Sequence, residues 1–182
     1  SSLIMFFFVS VLFVFASEII TILYSEKFLM GVSVFRVYSL VLIFRITYFG
    51  LILNSLNKTV FIMKTSIFAL ILNIFLNYIF YRIFGFIGPA IATFFVTFFV
   101  QTLQLIYTSK LLKMKLFDIF PWLELFKIIV LNTFLSLIFL PIKTLVNQSN
   151  NSNTLFYSIL IGFIWMLSYS LIIYKKAKQF NA

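Results

Sequence analysis

Apolar residues in this chain come in long runs, separated by short polar breaks. A membrane-spanning helix needs about 20 mostly apolar residues. Six runs approach or exceed that length, at roughly 3–23, 32–56, 61–81, 86–108, 122–140 and 155–174. Within each run apolar residues follow one another without the strict alternation of a barrel strand, so the pattern predicts helices. The expected fold is all-α, a polytopic transmembrane helical bundle with six spans. The breaks are "YSEKFLMG", "NKTVFIMK", "RIFGFIGP", the basic and amphipathic "SKLLKMKLFDIFPW", and the polar "KTLVNQSNNSNT", followed by the tail "KKAKQFNA". Gly85, Gly88 and Pro89 punctuate the third break.

Composition supports the bilayer as solvent. The 182 residues are 63% hydrophobic and only 10% charged. A soluble domain carries about 25% charged residues and could not hide this much apolar surface in one core. There is no Cys and no His. That excludes disulfides, thiolate or imidazole metal sites and His-based acid–base catalysis, and no cofactor or metal is expected. The only acids are Glu18, Glu26, Asp118 and Glu124, and no nucleophile–base constellation or carboxylate pair is visible.

The net charge of +10 reads first as topology. Alternate breaks hold Lys58, Lys64, Lys110, Lys113, Lys115, Lys127, Lys175, Lys176 and Lys178, against Lys27, Arg82 and Lys143 on the other side. Cytoplasmic loops collect Lys and Arg. The first span should therefore run from inside to outside, with the tail cytoplasmic, and no nucleic-acid partner is expected. Lys110, Lys113 and Lys115 are placed to meet anionic lipid headgroups. Trp122 and Tyr174 fit an aromatic belt at span ends, whereas Trp165 falls near mid-span and is expected to pack on another helix. The chain opens "SSLIMFFF", already apolar and without Met. Together with its richness in Phe, Ile, Asn, Lys and Tyr, this suggests a fragment of a bacterial protein that lacks its N-terminal part.

Polar residues inside the spans are the candidate chemistry. On a wheel of 100° per residue, Arg36 shares a stripe of the second span with Ser39, Thr47, Gly50 and Asn54, while Arg45 lies opposite with Tyr38 and Tyr48. Folding the first hairpin about Lys27 brings Glu18 level with Arg36, so these two are read as a structural ion pair. Snorkelling to the interface is the other reading of Arg36. Arg45 lies about 13 Å deeper and has no carboxylate near it in sequence. A deep intramembrane cation is a functional candidate, and a guanidinium fork suits phosphate oxygens. Arg45, Tyr38, Tyr48, Gln101 and Gln104 are the substrate-binding candidates. Asn73 and Asn77, four apart in "LILNIFLNYIF", and Gly85, Gly88 and Ala92 in "GFIGPAIAT" are read as helix-packing positions.

The order of these pieces resembles the C-terminal half of bacterial polysaccharide flippases, of O-antigen and capsule type. Their superfamily also holds multidrug and toxin exporters and the lipid II flippase. The matching pieces are Tyr24-Ser25-Glu26-Lys27-Phe28, Phe35-Arg36-Val37, Leu56-Asn57-Lys58-Thr59, Leu72-Asn73-Ile74-Phe75-Leu76-Asn77 and Gly85-Phe86-Ile87-Gly88-Pro89-Ala90-Ile91-Ala92-Thr93. Ser25 and Asn57 stand where the family commonly has Gly, and Pro89 where it has Ala. The resemblance covers about residues 15–110. It implies a 12–14-span exporter, with residues 1–110 as the core of the C-terminal half-bundle (four spans). Residues 111–182 would be the basic connector, two accessory spans and the cytoplasmic tail.

The resemblance implies a flippase that moves an undecaprenyl-diphosphate-linked oligosaccharide from the cytoplasmic to the outer leaflet of the bacterial inner membrane, not an enzyme. Its partners would be membrane lipids, the lipid-linked oligosaccharide, the N-terminal half of the same protein, and a polysaccharide polymerase with glycosyltransferases. A multidrug exporter is the alternative within the superfamily. A membrane polymerase or glycosyltransferase is the alternative outside it, disfavoured by the weakly charged outer loop. A topology reporter fused after Ala182 should be active only in its cytoplasmic form, and one inserted at Asn150 only in its outer form. The reverse pattern would overturn the orientation.

Overall fold

Hydrocarbon offers no hydrogen-bond partner to a bare peptide group, so a chain this apolar has to pair its backbone within helices. The computed structural model describes residues 2–45, 49–119, 122–148, 157–158 and 160–169, and every element among them is helical. The all-α expectation holds. Among the described residues, three stretches can cross a membrane by length and composition: Glu26–Ser55, Thr59–Leu112 and Trp122–Phe139. A bent helix pair at the N-terminus makes a fourth if it is counted as one span. The chain divides into two compact units, one made of the chain up to Val32 with the part from Phe126 onward, the other of Ser33–Leu125.

In the first unit the predicted span 3–23 is two helices. Helix α1 (Ser2–Val14) and helix α2 (Ala16–Tyr24) meet at Phe15 with a bend of 73°. Neither Pro nor Gly causes it. Phe15 leaves helical geometry (φ −96°, ψ 20°), yet the chain's hydrogen bonds run on through it. Its N–H donates to the Val11 carbonyl and its carbonyl accepts from Ile19, both at 2.9 Å. The Phe15 ring is buried, its centroid 6.0 Å from Trp165. Between membrane helices, packing contacts of this kind take the place of the hydrophobic effect, and they offset the local departure from helical geometry.

Around that ring sits the core of this unit. Helix α7 (Trp122–Gln148), which starts in the second unit, and a short helix α8 (Leu160–Tyr169) enclose it. Phe7 stacks on Tyr169 at 4.5 Å, and Phe139 stacks on Trp165 at 5.3 Å. Trp165 is completely buried. The first predicted span therefore packs with the last helices within this unit. Helix α7 also continues through Pro141 to Gln148, so the predicted polar loop "KTLVNQSNNSNT" begins inside a helix. Of the predicted sixth span, 155–156, 159 and 170–174 lie outside the described residues.

The second unit contains helix α3 (Val32–Val41) from Ser33 onward, a 3₁₀ turn (Leu42–Arg45), helix α4 (Phe49–Ser55), helix α5 (Thr59–Phe84) and helix α6 (Gly88–Leu112). Helices α5 and α6 have 26 and 25 residues, about 38 Å each at 1.5 Å per residue, against a hydrocarbon core of about 30 Å. They form an antiparallel hairpin. Aromatic pairs set its register: Phe61 on Tyr107 at 3.9 Å, Phe68 on Phe99 at 5.9 Å, and Phe80 on Phe95 at 5.9 Å. Gly85 closes α5 at φ +62°, a backbone that L side chains rarely adopt. At Gly88 a Cβ would collide with the Phe80 carbonyl, so only glycine permits this approach. The hairpin is electrically lopsided. Lys58, Lys64, Lys110, Lys113 and Lys115 gather at its open end and Arg82 near its turn, in keeping with the positive-inside pattern.

Among the described residues, three non-glycine residues have positive φ: Ser25 (+81°), Asn57 (+56°) and Lys113 (+52°). Two of them, Ser25 and Asn57, are the positions where the flippase pattern has Gly. Ser25, with ψ 168°, lies in a region that is essentially glycine-only and costs a side chain about 1–3 kcal/mol. Ser25→Gly should therefore raise the thermal midpoint of the detergent-solubilised protein, by about 1 kcal/mol or more in stability. An unchanged or lowered midpoint would refute the strain.

Candidate functional site

Where do the polar side chains of the spans find partners? Hydroxyls answer within their own helices. Ser10, Ser39, Thr65, Thr93, Thr97, Thr108 and Ser136 each donate to the carbonyl four residues back, at 2.7–3.0 Å. This back-bonding satisfies the donor locally. For amides this route serves only the N–H groups, and the side-chain carbonyl still needs a donor from elsewhere. The unpartnered buried side-chain atoms include three amide oxygens: Asn77 Oδ1, Gln101 Oε1 and Gln104 Oε1.

These amides belong to one lane on the α5–α6 hairpin. On α6, Thr93, Thr97, Gln101, Gln104 and Thr108 fall within an arc of about 80°, and on α5 Ser66, Asn73 and Asn77 fall within about 40°. A groove of about 370 Å³ opens between the two helices. Its polar lining is Ser66, Asn73, Thr97 and Gln101, over a floor of Leu70, Val96 and Val100. Asn77 Nδ2 donates to Asn73 Oδ1 at 2.7 Å, so these two amides pair along their own helix. Gln104, one turn from Gln101, is only 3% exposed. The structure thus brings Gln101, a sequence-predicted binding residue, together with Asn73, which the sequence suggested for packing. Ser66 and Thr97 were missed, although the spacing 93, 97, 101, 104, 108 carries the signal.

The arginine segment is reorganised. Helix α3 stops at Val41 and tightens into the 3₁₀ turn that ends at Arg45. A 3₁₀ helix turns about 120° per residue, so the 100° wheel cannot be carried from Arg36 to Gly50 and Asn54. Phe44 anchors the turn on α6, 5.2 Å from Phe94 and 5.7 Å from Phe98. That places the Arg45 backbone beside the helix that carries Gln101. Tyr48 and the Arg45 side chain lie outside the described residues. Tyr38 is on α3 and half exposed.

Glu18 is buried and accepts a hydrogen bond from Ser17 Oγ at 2.8 Å. It occupies the first turn of α2, where the helix dipole favours a carboxylate. The break at Phe15, invisible to a continuous-span reading, creates that position. Glu18 and Arg36 belong to different units, and their pairing stays a sequence expectation.

A second polar cluster was not anticipated. Asn132, on α7, is buried. Its Nδ2 donates to the Ile128 carbonyl at 2.9 Å and to the Tyr169 hydroxyl at 3.3 Å, and its Oδ1 lies 3.4 Å from Ser10 Oγ, whose one proton it shares with the Phe6 carbonyl. One amide therefore ties α1, α7 and α8 beneath the aromatic core.

Comparison with known proteins adds no relative: no family model matches the chain, and no curated protein or solved structure matches it.

Interhelical hydrogen bonds in membranes contribute about 0.6 kcal/mol on average, up to about 1.7, whereas truncating a buried Trp costs about 3–5 kcal/mol. Asn132→Leu should therefore cost roughly 1 kcal/mol and Trp165→Ala several times more, measured by unfolding in bicelles. A larger loss for Asn132→Leu would show that the amide, not the aromatic cluster, holds this unit.

Proposed function

We propose that this chain is the C-terminal part of a six-plus-six-type exporter, and that it flips a lipid-linked oligosaccharide across the bacterial inner membrane. The observation that carries this reading is the amide-and-hydroxyl lane along an otherwise apolar hairpin. Polar groups in a span are costly unless they serve packing or a path for polar cargo, and three amide oxygens of the hairpin are left without partners. Left-handed backbone at Ser25 and Asn57 supports the resemblance, since the family places glycine at both. A cationic drug is a poorer cargo, because the lane contains no carboxylate.

On this reading the cargo divides by chemistry. Its diphosphate needs a cation, and Arg45 is the one deep in the second span. Tyr38 and Tyr48 offer stacking and hydrogen bonds, Gln101 and Gln104 amides. Drive comes from an ion gradient or from removal of the product, since no nucleotide-binding motif is present in the chain.

Arg45→Ala in the complete protein should lower export of lipid-linked glycan by at least about tenfold. This corresponds to the 1.5–3 kcal/mol of a hydrogen bond to a charged group. Arg45→Lys should retain part of it, with insertion unchanged in both. Wild-type export with Ala would remove Arg45 from the mechanism.

A further inference from the structure

Between α6 and α7 the chain leaves the spans, and what it exposes there is unlike a water-facing loop. The connector 113–119 is folded, not slack. Ser109 Oγ donates to the Met114 carbonyl at 2.7 Å and the Asp118 N–H to the Lys115 carbonyl at 2.9 Å. The Trp122 indole N–H donates to the Leu116 carbonyl at 3.2 Å. With the backbone held this way Phe117 stands outward. It is 79% exposed, its ring 6.2 Å from that of Trp122, and Met114 and Leu116 are exposed beside it. Inside a span an exposed Phe faces hydrocarbon at no cost. Here one span has ended at Leu112 and the next starts only at Trp122, so an uncovered ring would stand in water, against the hydrophobic effect.

The same end of the hairpin is strongly cationic. Phe61 of α5 stacks on Tyr107 of α6 at 3.9 Å. Lys58, three residues before Phe61, therefore comes level with Lys110, three residues after Tyr107, and Lys64 lies about 9 Å deeper. Lys113 follows α6 in left-handed geometry, and Lys115 comes next in the connector. All five lysines are exposed, and among the described residues no ion pair joins any of them to a carboxylate. Asp118 is the one acid in the connector. Helices of about 38 Å overreach a hydrocarbon core of about 30 Å, which sets these helix ends in the headgroup layer. Lys64 reaches that layer with its long stem.

We propose that this end of the hairpin and the connector form a docking surface for an anionic phospholipid. Its headgroup lies among the five lysines, and Phe117 enters the acyl boundary beside it. Unpaired cations at headgroup depth select a headgroup of net negative charge over a zwitterionic one, and an apolar ring next to them suits the interface better than water does. Residue order alone placed Lys110, Lys113 and Lys115 near headgroups. The fold adds Lys58 and Lys64 from a second helix, and Phe117 as the apolar contact. Nothing in this depends on the flippase reading: unaltered glycan export in cells lacking the protein would leave it standing.

The test uses the complete protein in nanodiscs of phosphatidylcholine with a minor share of phosphatidylglycerol, both with the same acyl chains. Phe117→p-benzoylphenylalanine is the photoreactive position. Phe75→p-benzoylphenylalanine, exposed in the middle of α5, is the control, and lipid adducts are identified by mass spectrometry. At position 117 the ratio of phosphatidylglycerol to phosphatidylcholine adducts should exceed the ratio in the disc by at least about fivefold. At position 75 it should equal the ratio in the disc. Combining Lys110→Gln, Lys113→Gln and Lys115→Gln should remove most of the enrichment, and Lys→Arg at the same three positions should keep it. Excess inorganic phosphate at constant ionic strength should leave it unchanged.

A disc-like ratio at position 117 with all lysines in place overturns the proposal and leaves the lysines as a topology signal alone. That measurement needs no lysine variant, so it decides even if the triple variant fails to insert. Adducts only to the protein's own peptides, or none to lipid, also overturn it, because the connector would then lie against protein or in water. Loss of the enrichment in inorganic phosphate overturns the lipid as occupant, since the cations would then serve a soluble anion. Enrichment that survives in an inserted triple Gln variant overturns the role of the lysines.

Discussion

In hydrocarbon a polar group must find its partner inside the protein, and most features of this chain follow from that demand. Where α1 gives way to α2 at Phe15, the N–H and carbonyl of Phe15 keep their partners in Val11 and Ile19. Where α3 gives out, a 3₁₀ turn takes over directly. Ser and Thr are cheap in such a setting because each donates back to its own helix. Asn and Gln are expensive, because an amide cannot be satisfied by one local bond. Asn132 is answered by Ser10, Ile128 and Tyr169. Gln101 and Gln104 are not answered at their oxygens.

The two units solve the problem of close packing differently. One fills its centre with rings, and Trp165 is enclosed by Phe7, Phe15 and Phe139. The other brings backbones together, and the carbonyl of Phe80 leaves no space for a side chain at position 88. Rings bury much area for few polar groups, though the Trp165 Nε1–H is left buried without a partner, whereas the glycine contact gives α5 and α6 a fixed separation near the turn. Beyond that point polar side chains replace small ones along the facing arcs, and a groove opens. The lane thus depends on the hairpin, and the hairpin on Gly85 and Gly88.

Several elements were legible from residue order. The long helices α5 and α6 fall close to their apolar runs, with boundaries shifted by a few residues, and α7 begins where its run begins but continues past Pro141, because span length and hydropathy are local properties. The clustering of lysines at one end of the hairpin was legible for the same reason. The bend at Phe15 was not, since "VFASEI" contains no Pro or Gly and the ring that stabilises the bend lies against Trp165, 150 positions further along. The change from α to 3₁₀ at Leu42 was equally hidden, because Phe44 is held by Phe94 and Phe98.

The sequence by itself determined the solvent, the helical class and the stock of polar groups available within the spans, since each depends only on composition along a local window. The tertiary structure alone decided which of those groups meet. It moved Glu18 to a helix start, joined Asn132 to Ser10 and Tyr169, and set Asn73 and Gln101 on one groove. A side chain's partner in hydrocarbon comes from whatever helix is packed beside it, and that neighbour is a product of the fold rather than of the residues on either side in the chain.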